Sequence, residues 1–161
     1  MHPRYTRATV LETETWGGVT LELLGDIEAV GLIRYRYVLA AVGRDGLSAC
    51  WVCAERSRLL MSGASQGFYL GLFARGGHVN LGPSRDWSDA RLFLLKAMGL
   101  VRQEFGRPLQ LWPVTRMEKT ALNEVWAELQ AKGGRPRLRS YIKAYDAALP
   151  PMVSRAPHAA G

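Results

Sequence analysis

The sequence predicts an α+β fold: a five-stranded antiparallel meander in the first half of the chain, packed by two or three C-terminal helices. Apolar residues recur with a period of two as far as about residue 74, and with a period near 3.6 from about residue 88. No helical stretch separates the strand-like segments, so neighbouring strands are expected to be joined by short turns and to run antiparallel. The 161 residues fit one domain, expected over residues 1–149, with a mobile tail at 150–161.

The first two strands are predicted on either side of Gly17 and Gly18. These glycines separate the β-rich segments "ATVLETET" and "VTLELLG". Two glycines suit a tight hairpin turn, because both central residues can then adopt a positive φ. The two segments are therefore expected to pair directly.

The third strand, "GLIRYRYVLAAV", is expected to bury one of its faces. Strict alternation puts four large residues on that face: Ile33, Tyr35, Tyr37 and Leu39. Arg34 and Arg36 fall on the other face. These two arginines would add to a basic surface if that face of the sheet is open.

The fourth and fifth strands are "LSACWVCAE" and "FYLGLFA". Asp45 and Gly46 are typical of the turn that precedes the fourth strand. This strand carries apolar residues on both faces, so we expect it in the middle of the sheet. After the fifth strand, the glycine-rich stretch "RGGHVNLGPSRDW" is expected to lead out of the sheet towards the helices.

Start and stop signals delimit the helices. Ser88 is the expected N-cap of the first helix, and Gly106 is expected to end it. The second helix is predicted to begin at the T-x-x-E capping box formed by Thr115 and Glu118. A third helix is predicted over residues 137–148, where two prolines follow its end.

The segment "GASQG" matches the G-x-S-x-G pattern of a hydrolase nucleophile elbow, with Ser65 as the nucleophile. An elbow turns from a strand into a helix, whereas Ser65 is followed by the predicted fifth strand. The only histidine that follows the candidate acids Asp86 and Asp89 is His158, near the C-terminus. We therefore interpret this segment as a loop between two strands.

Cys50 and Cys53 have the C-x-x-C spacing of zinc and redox sites. On a strand, however, positions i and i+3 point to opposite faces. A second pair of ligands is also missing from the sequence. We expect two buried strand cysteines, and neither a metal site nor a cofactor.

The loop "GGHVNLGPSRDWSD" is the most unusual run of polar residues. A histidine next to an arginine can serve phosphodiester chemistry, as a general base and a charge stabiliser. His78, Arg85 and Asp86 are therefore candidate site residues, although a set of turn residues explains the same pattern. A small enzyme with His78 and Asp86 as weak catalytic candidates is one alternative.

The net charge of +7 is concentrated near the C-terminus, where residues 129–161 hold six basic side chains against Asp146 alone. Four of them belong to the predicted third helix and its start: Arg135, Arg137, Arg139 and Lys143. A basic stripe can bind phosphates, so a nucleic-acid-binding protein is another alternative. The same residues also fit the solvated face of a helix that packs on the sheet.

The first choice is a small non-catalytic protein-binding module: an adaptor, an inhibitor, or a bacterial immunity or chaperone-like protein. Its partner would be another protein, with an acidic surface matching the basic residues. Trp16, beside the Gly17 turn, is expected to be exposed and to anchor such a partner. No signal peptide or membrane segment is predicted, so we expect a cytoplasmic protein that does not bind membranes.

Overall fold

The computed structural model describes residues 2–57, 67–82, 87, 89–106 and 114–133. Six strands form one antiparallel sheet in sequential order. They are β1 (Tyr5–Trp16), β2 (Val19–Ala29), β3 (Ile33–Gly43), β4 (Ala49–Ser57), β5 (Tyr69–Ala74) and β6 (Gly77–Asn80). Within the described residues two helices follow, α1 (Ala90–Phe105) and α2 (Arg116–Gly133). The α+β class and the antiparallel meander are confirmed.

The sheet has one strand more than the five predicted, because β6 lies in the stretch expected to leave the sheet. Arg75 and Gly76 both have positive φ, as the tightest hairpin turns require, and they return the chain alongside β5. All four residues of β6 are exposed. Such a strand shows no alternation of apolar and polar residues, and its turn begins with an arginine rather than with a usual turn residue.

The helices cover one face of the sheet, which we call the helix face; the opposite one is the second face. The larger core cluster joins the helix face to α1 and α2 and includes Leu21, Leu39, Val52, Phe93 and Met98. A smaller cluster lies on the second face and comprises Leu24, Tyr35, Val38, Cys53 and Phe73. Strand β4 contributes to both clusters, as its central position predicts.

The prediction that Ile33, Tyr35, Tyr37 and Leu39 share one face is wrong. The register of β3 against β4 shifts between Tyr35 and Tyr37. A bulge adds one residue to a strand, and one residue is enough to exchange the faces. Tyr35 therefore packs in the cluster of the second face, whereas Leu39 is buried under the helices.

Helix α1 begins one residue later than predicted. Its N-cap is Asp89, whose carboxylate accepts a hydrogen bond of 2.9 Å from the backbone N–H of Arg91. The Arg91 guanidinium also contacts that carboxylate. Gly106 ends the helix as predicted, with a φ of 87° and an N–H that donates to the Arg102 carbonyl.

The predicted capping box of α2 is present. Thr115 Oγ1 accepts from the Glu118 N–H at 3.1 Å, and Glu118 Oε1 accepts from the Thr115 N–H at 2.9 Å. Glu14 of β1 supplies a second cap, because its carboxylate accepts from the N–H groups of Arg116 and Met117 at 3.0 Å each. These bonds tie the start of α2 to the edge of the sheet.

The predicted third helix at 137–148, the domain boundary at 149 and the tail at 150–161 lie outside the described residues. Within the described part of the chain, no helix combines the length and the apolar character needed to cross a membrane.

Candidate functional site

A buried carboxylate and a histidine meet on the second face of the sheet. His78 Nε2 of β6 lies 2.7 Å from Glu55 Oε1 of β4. The Glu55 side chain is 5% exposed, whereas that of His78 is 31% exposed. His78 was a candidate from the sequence, but its partner was not.

Gly71 of β5 makes room for this contact across the strand between them. A Cβ at that position would overlap the Glu55 carboxylate. Glycine in the middle of a strand often marks such a close approach. The pattern "FYLGLFA", together with an acid in the otherwise apolar fourth strand, was the signal in the sequence that could have found Glu55.

The imidazole of His78 contacts a second residue on one of its faces, in addition to the contact of Nε2 with Glu55. Phe73, the cross-strand partner of His78, stacks on it with ring centroids 4.2 Å apart and an angle of 24° between the planes. Side-chain stacking and the bond to Glu55 together fix the orientation of the ring.

Burial raises the pKa of the Glu55 carboxyl above its ordinary value of 4.5. Hydrogen bonds from His78 and Asn80 and the charge of His78 act in the opposite direction but do not cancel this effect. Glu55 Oε2 is buried, and no group of the described residues meets the distance and angle of a hydrogen bond to this oxygen. Such a group costs stability, and natural proteins contain few of them.

The arrangement is suited to proton transfer and to nucleophilic chemistry. When Glu55 is ionised its oxygens only accept hydrogen bonds, so His78 Nε2 carries the proton. The lone pair then resides on Nδ1, the nitrogen that does not face Glu55. Arg85 and Asp86, the other candidates from this loop, lie outside the described residues, as does Ser65.

Three arginines lie near the start of β3 and the end of β4. Arg34 pairs in register with Arg56, so their side chains project from the same face. Arg36, at the bulge, lies with its guanidinium carbon 5.1 Å from the centre of the Tyr37 ring. We call Arg34, Arg36 and Arg56 the arginine cluster. Arg34 and Arg36 were candidates from the sequence, and Arg56 is included because it is the cross-strand partner of Arg34.

The expected exposure of Trp16 is wrong. Its side chain is 6% exposed and belongs to the main core cluster. The guanidinium carbon of Arg102 lies 5.1 Å from the centre of the Trp16 ring, and the same guanidinium forms a buried bidentate pair with Glu118. Trp16 is therefore a core residue next to α1 and is not exposed for a partner to bind.

The two cysteines are buried in different clusters, Cys50 on the helix face and Cys53 on the second face. Their divergence is as predicted. Burial raises the pKa of Cys50 to about 12 and that of Cys53 well above its usual range. Among the described residues, no three His, Cys, Asp or Glu side chains are grouped so that they could hold a metal ion.

The basic residues predicted near the C-terminus lie outside the described residues: Arg135, Arg137, Arg139 and Lys143. The part of the chain that the structure describes has nearly equal numbers of basic and acidic side chains.

No protein-family model, curated protein or solved structure matches this chain. A fold by itself does not determine a function. What the protein does must therefore be inferred from the charges, contacts and burial of its own residues.

Proposed function

We propose that the protein is a protein-binding module whose partner presents a cluster of acidic side chains. The observation that supports this function is the arginine cluster. Arg34 and Arg36 are exposed, and Arg56 is half-buried beside them. A carboxylate placed here would meet planar guanidinium groups, which bind carboxylates with two parallel hydrogen bonds.

The pairing of Arg34 with Arg56 is unfavourable within the chain itself. Side chains that face each other on adjacent strands have Cβ atoms about 5 Å apart, and like charges at this distance destabilise a sheet. No carboxylate of the described residues forms an ion pair with any member of the cluster. An acidic partner would remove this repulsion on binding.

Basic side chains elsewhere in the described residues often have carboxylate partners. Arg7 pairs with Glu28 and Arg75 with Glu104, and two further arginines and a lysine are paired with acids of the helices. The arginine cluster differs from these because three arginines lie at neighbouring positions of two strands, and none of them forms an ion pair with an acid of the described residues.

The compact form of the cluster favours a protein partner over a nucleic acid. Phosphates follow one another every few ångströms along a duplex, so their binding calls for a long positive surface. The described residues show a local cluster on a nearly neutral body. A group of two or three carboxylates on a protein surface matches such a cluster better.

The test is binding of a fluorescent glutamate-rich peptide, measured by anisotropy, to the wild type and to the double variant Arg34→Gln/Arg56→Gln. Hydrogen bonds to charged groups contribute about 1.5–3 kcal/mol, so losing even one of them should weaken binding about 10-fold or more. Arg44→Gln/Lys119→Gln is the matched control. It removes two positive charges at exposed positions that have no carboxylate partner in the described residues.

Equal loss of binding in the control would mean that net charge alone attracts the peptide, and the proposal would fail. A DNA oligonucleotide of the same length, binding more tightly than the peptide and losing affinity in the double variant, would instead establish the nucleic-acid alternative.

A further inference from the structure

Beyond partner binding, we propose that His78 is a nucleophilic site that accepts an acyl group at Nδ1 from an activated ester or thioester. Glu55 is the positioning residue, and it acts through the imidazole. Three observations support this activity: the contact of Nε2 with a buried carboxylate, the stacking of the ring on Phe73, and the partial exposure of the side chain on an edge strand.

The carboxylate selects the tautomer that the chemistry needs. An imidazole attacks through the nitrogen that carries no proton, and Glu55 holds the proton at Nε2 on the inner side of the ring. Phe73 covers one face of the ring and Glu55 its Nε2 edge, so the exposed 31% of the side chain lies elsewhere on it, and the proposal requires this part to include Nδ1.

The Glu55–His78 contact lowers the stability of the fold, and a contact that only held the strands together would not require this loss. A side chain at position 71 would overlap the carboxylate, and Oε2 is buried with no hydrogen-bond partner among the described residues. With glycine or alanine at position 55, position 71 of β5 would have room for an ordinary side chain. The loss of stability is explained if the reaction needs the negative charge of Glu55 beside the ring at the stage when the imidazole becomes positively charged.

The reaction balances without an oxidant or a metal. The Nδ1 lone pair attacks the carbonyl carbon, the new N–C bond forms, and the bond from that carbon to the leaving oxygen or sulfur breaks. The leaving group departs with the electron pair and takes a proton from water. Glu55 balances the positive charge of the acyl-imidazolium. Water then attacks the acyl carbon and the N–C bond breaks, which releases the carboxylic acid and a proton and restores the neutral imidazole; the proton neutralises the hydroxide left when the leaving group was protonated.

The experiment uses the full chain and diethyl pyrocarbonate, an acyl donor that modifies histidine rings, at a limiting concentration. Mass spectrometry of peptides gives separate rates for His78 and His2 in the same sample. His2 is an internal reference, since it is exposed and its ring contacts the Pro3 carbonyl and Trp51 rather than a carboxylate. His78 should react about 10-fold faster or more, a threshold set below the roughly 100-fold that begins the usual range for a positioned acid–base group.

Glu55→Gln keeps an acceptor for the Nε2–H but removes the charge, and it should bring the His78 rate to within about 3-fold of the His2 rate. Glu22→Gln, a change of the same type on β2, should leave the ratio of the rates unchanged. Nitrogen NMR of the imidazole tests the tautomer separately, because the proton should reside on Nε2 in the wild type.

Attachment of the acyl group at Nε2, or a His78 rate no higher than that of His2, would overturn the proposal. So would a Glu55→Gln variant that is folded and reacts like the wild type. The comparison of His78 with His2 in the wild type decides the matter even if the variant does not fold. Neither result depends on the arginine cluster, which lies on the opposite face of the sheet.

Discussion

The Glu55 carboxylate occupies the space that a side chain on Gly71 would need. Gly71→Ala should therefore force the carboxylate away from His78 and destabilise the fold by about 1–3 kcal/mol, the usual cost of overpacking. Glu55→Ala removes the obstacle, so the same change in that background should cost much less. Urea unfolding of the four proteins in this cycle measures the coupling directly. Additive effects would mean that the two residues do not compete for one space.

The pH dependence of stability should reveal the buried carboxyl. The pKa of Glu55 is higher in the folded protein than its ordinary value of 4.5, so the folded state binds the proton more tightly than the unfolded state. The wild type should then lose stability relative to Glu55→Gln as the pH rises from about 4.5 through the raised pKa. Parallel thermal or urea unfolding of both proteins from pH 4 to pH 8 measures the difference. A difference that stays constant over this range would contradict the assignment.

Local signals in the sequence predicted those parts of the fold that depend on a few neighbouring residues. The Gly17–Gly18 turn and the box of Thr115 and Glu118 require only short-range geometry, and both are found. The period of apolar residues likewise predicted α1, although the N-cap is Asp89 rather than Ser88. The Asp89 carboxylate accepts from both the backbone N–H and the guanidinium of Arg91, which favours it as the N-cap.

The remaining features depend on register, which a single sequence does not determine. The bulge after Tyr35 does not interrupt the alternation of large and charged residues in the sequence, but residues before and after it that would share a face of β3 lie on opposite faces. Because of the bulge, Tyr35 lies on the same face as Glu55, which the period of two did not predict. The contact of Glu55 with His78 spans three strands, so it could be foreseen only by knowing that β6 exists and how it pairs.

The buried pair of Arg102 and Glu118 joins α1 to the start of α2. Both side chains are almost fully buried, and Glu118 also accepts from Thr115. Arg102→Leu should destabilise the protein by about 3–5 kcal/mol, because it leaves a buried carboxylate without its cation. Arg102→Leu/Glu118→Gln should be more stable than this single variant, since the amide is neutral and still caps the helix. Urea unfolding tests both expectations, and a double variant less stable than the single one would contradict them.

Arg34 and Arg56 should show the opposite behaviour, since their pairing costs stability. Arg34→Gln should raise the free energy of unfolding by about 0.2–1 kcal/mol, the range for cross-strand pairs, and Arg56→Gln should do the same. The double variant should gain little beyond either single one, because the first change already removes the repulsion. Added salt should stabilise the wild type more than the variants, as it screens like charges.

The control for this prediction is Arg7→Gln, which removes an exposed arginine that has an acid partner, Glu28. It should bring no gain in stability, since it breaks an attraction instead of a repulsion. Unfolding by urea at low and high salt compares all the variants. If Arg34→Gln is more stable than the wild type but binds the glutamate-rich peptide more weakly, then the arginine cluster lowers the stability of the fold and raises the affinity for the partner. Functional sites often show this trade-off. A loss of stability in Arg34→Gln would show instead that the arginine is held by favourable contacts, and the cluster would then lose its interpretation as a site kept for a partner.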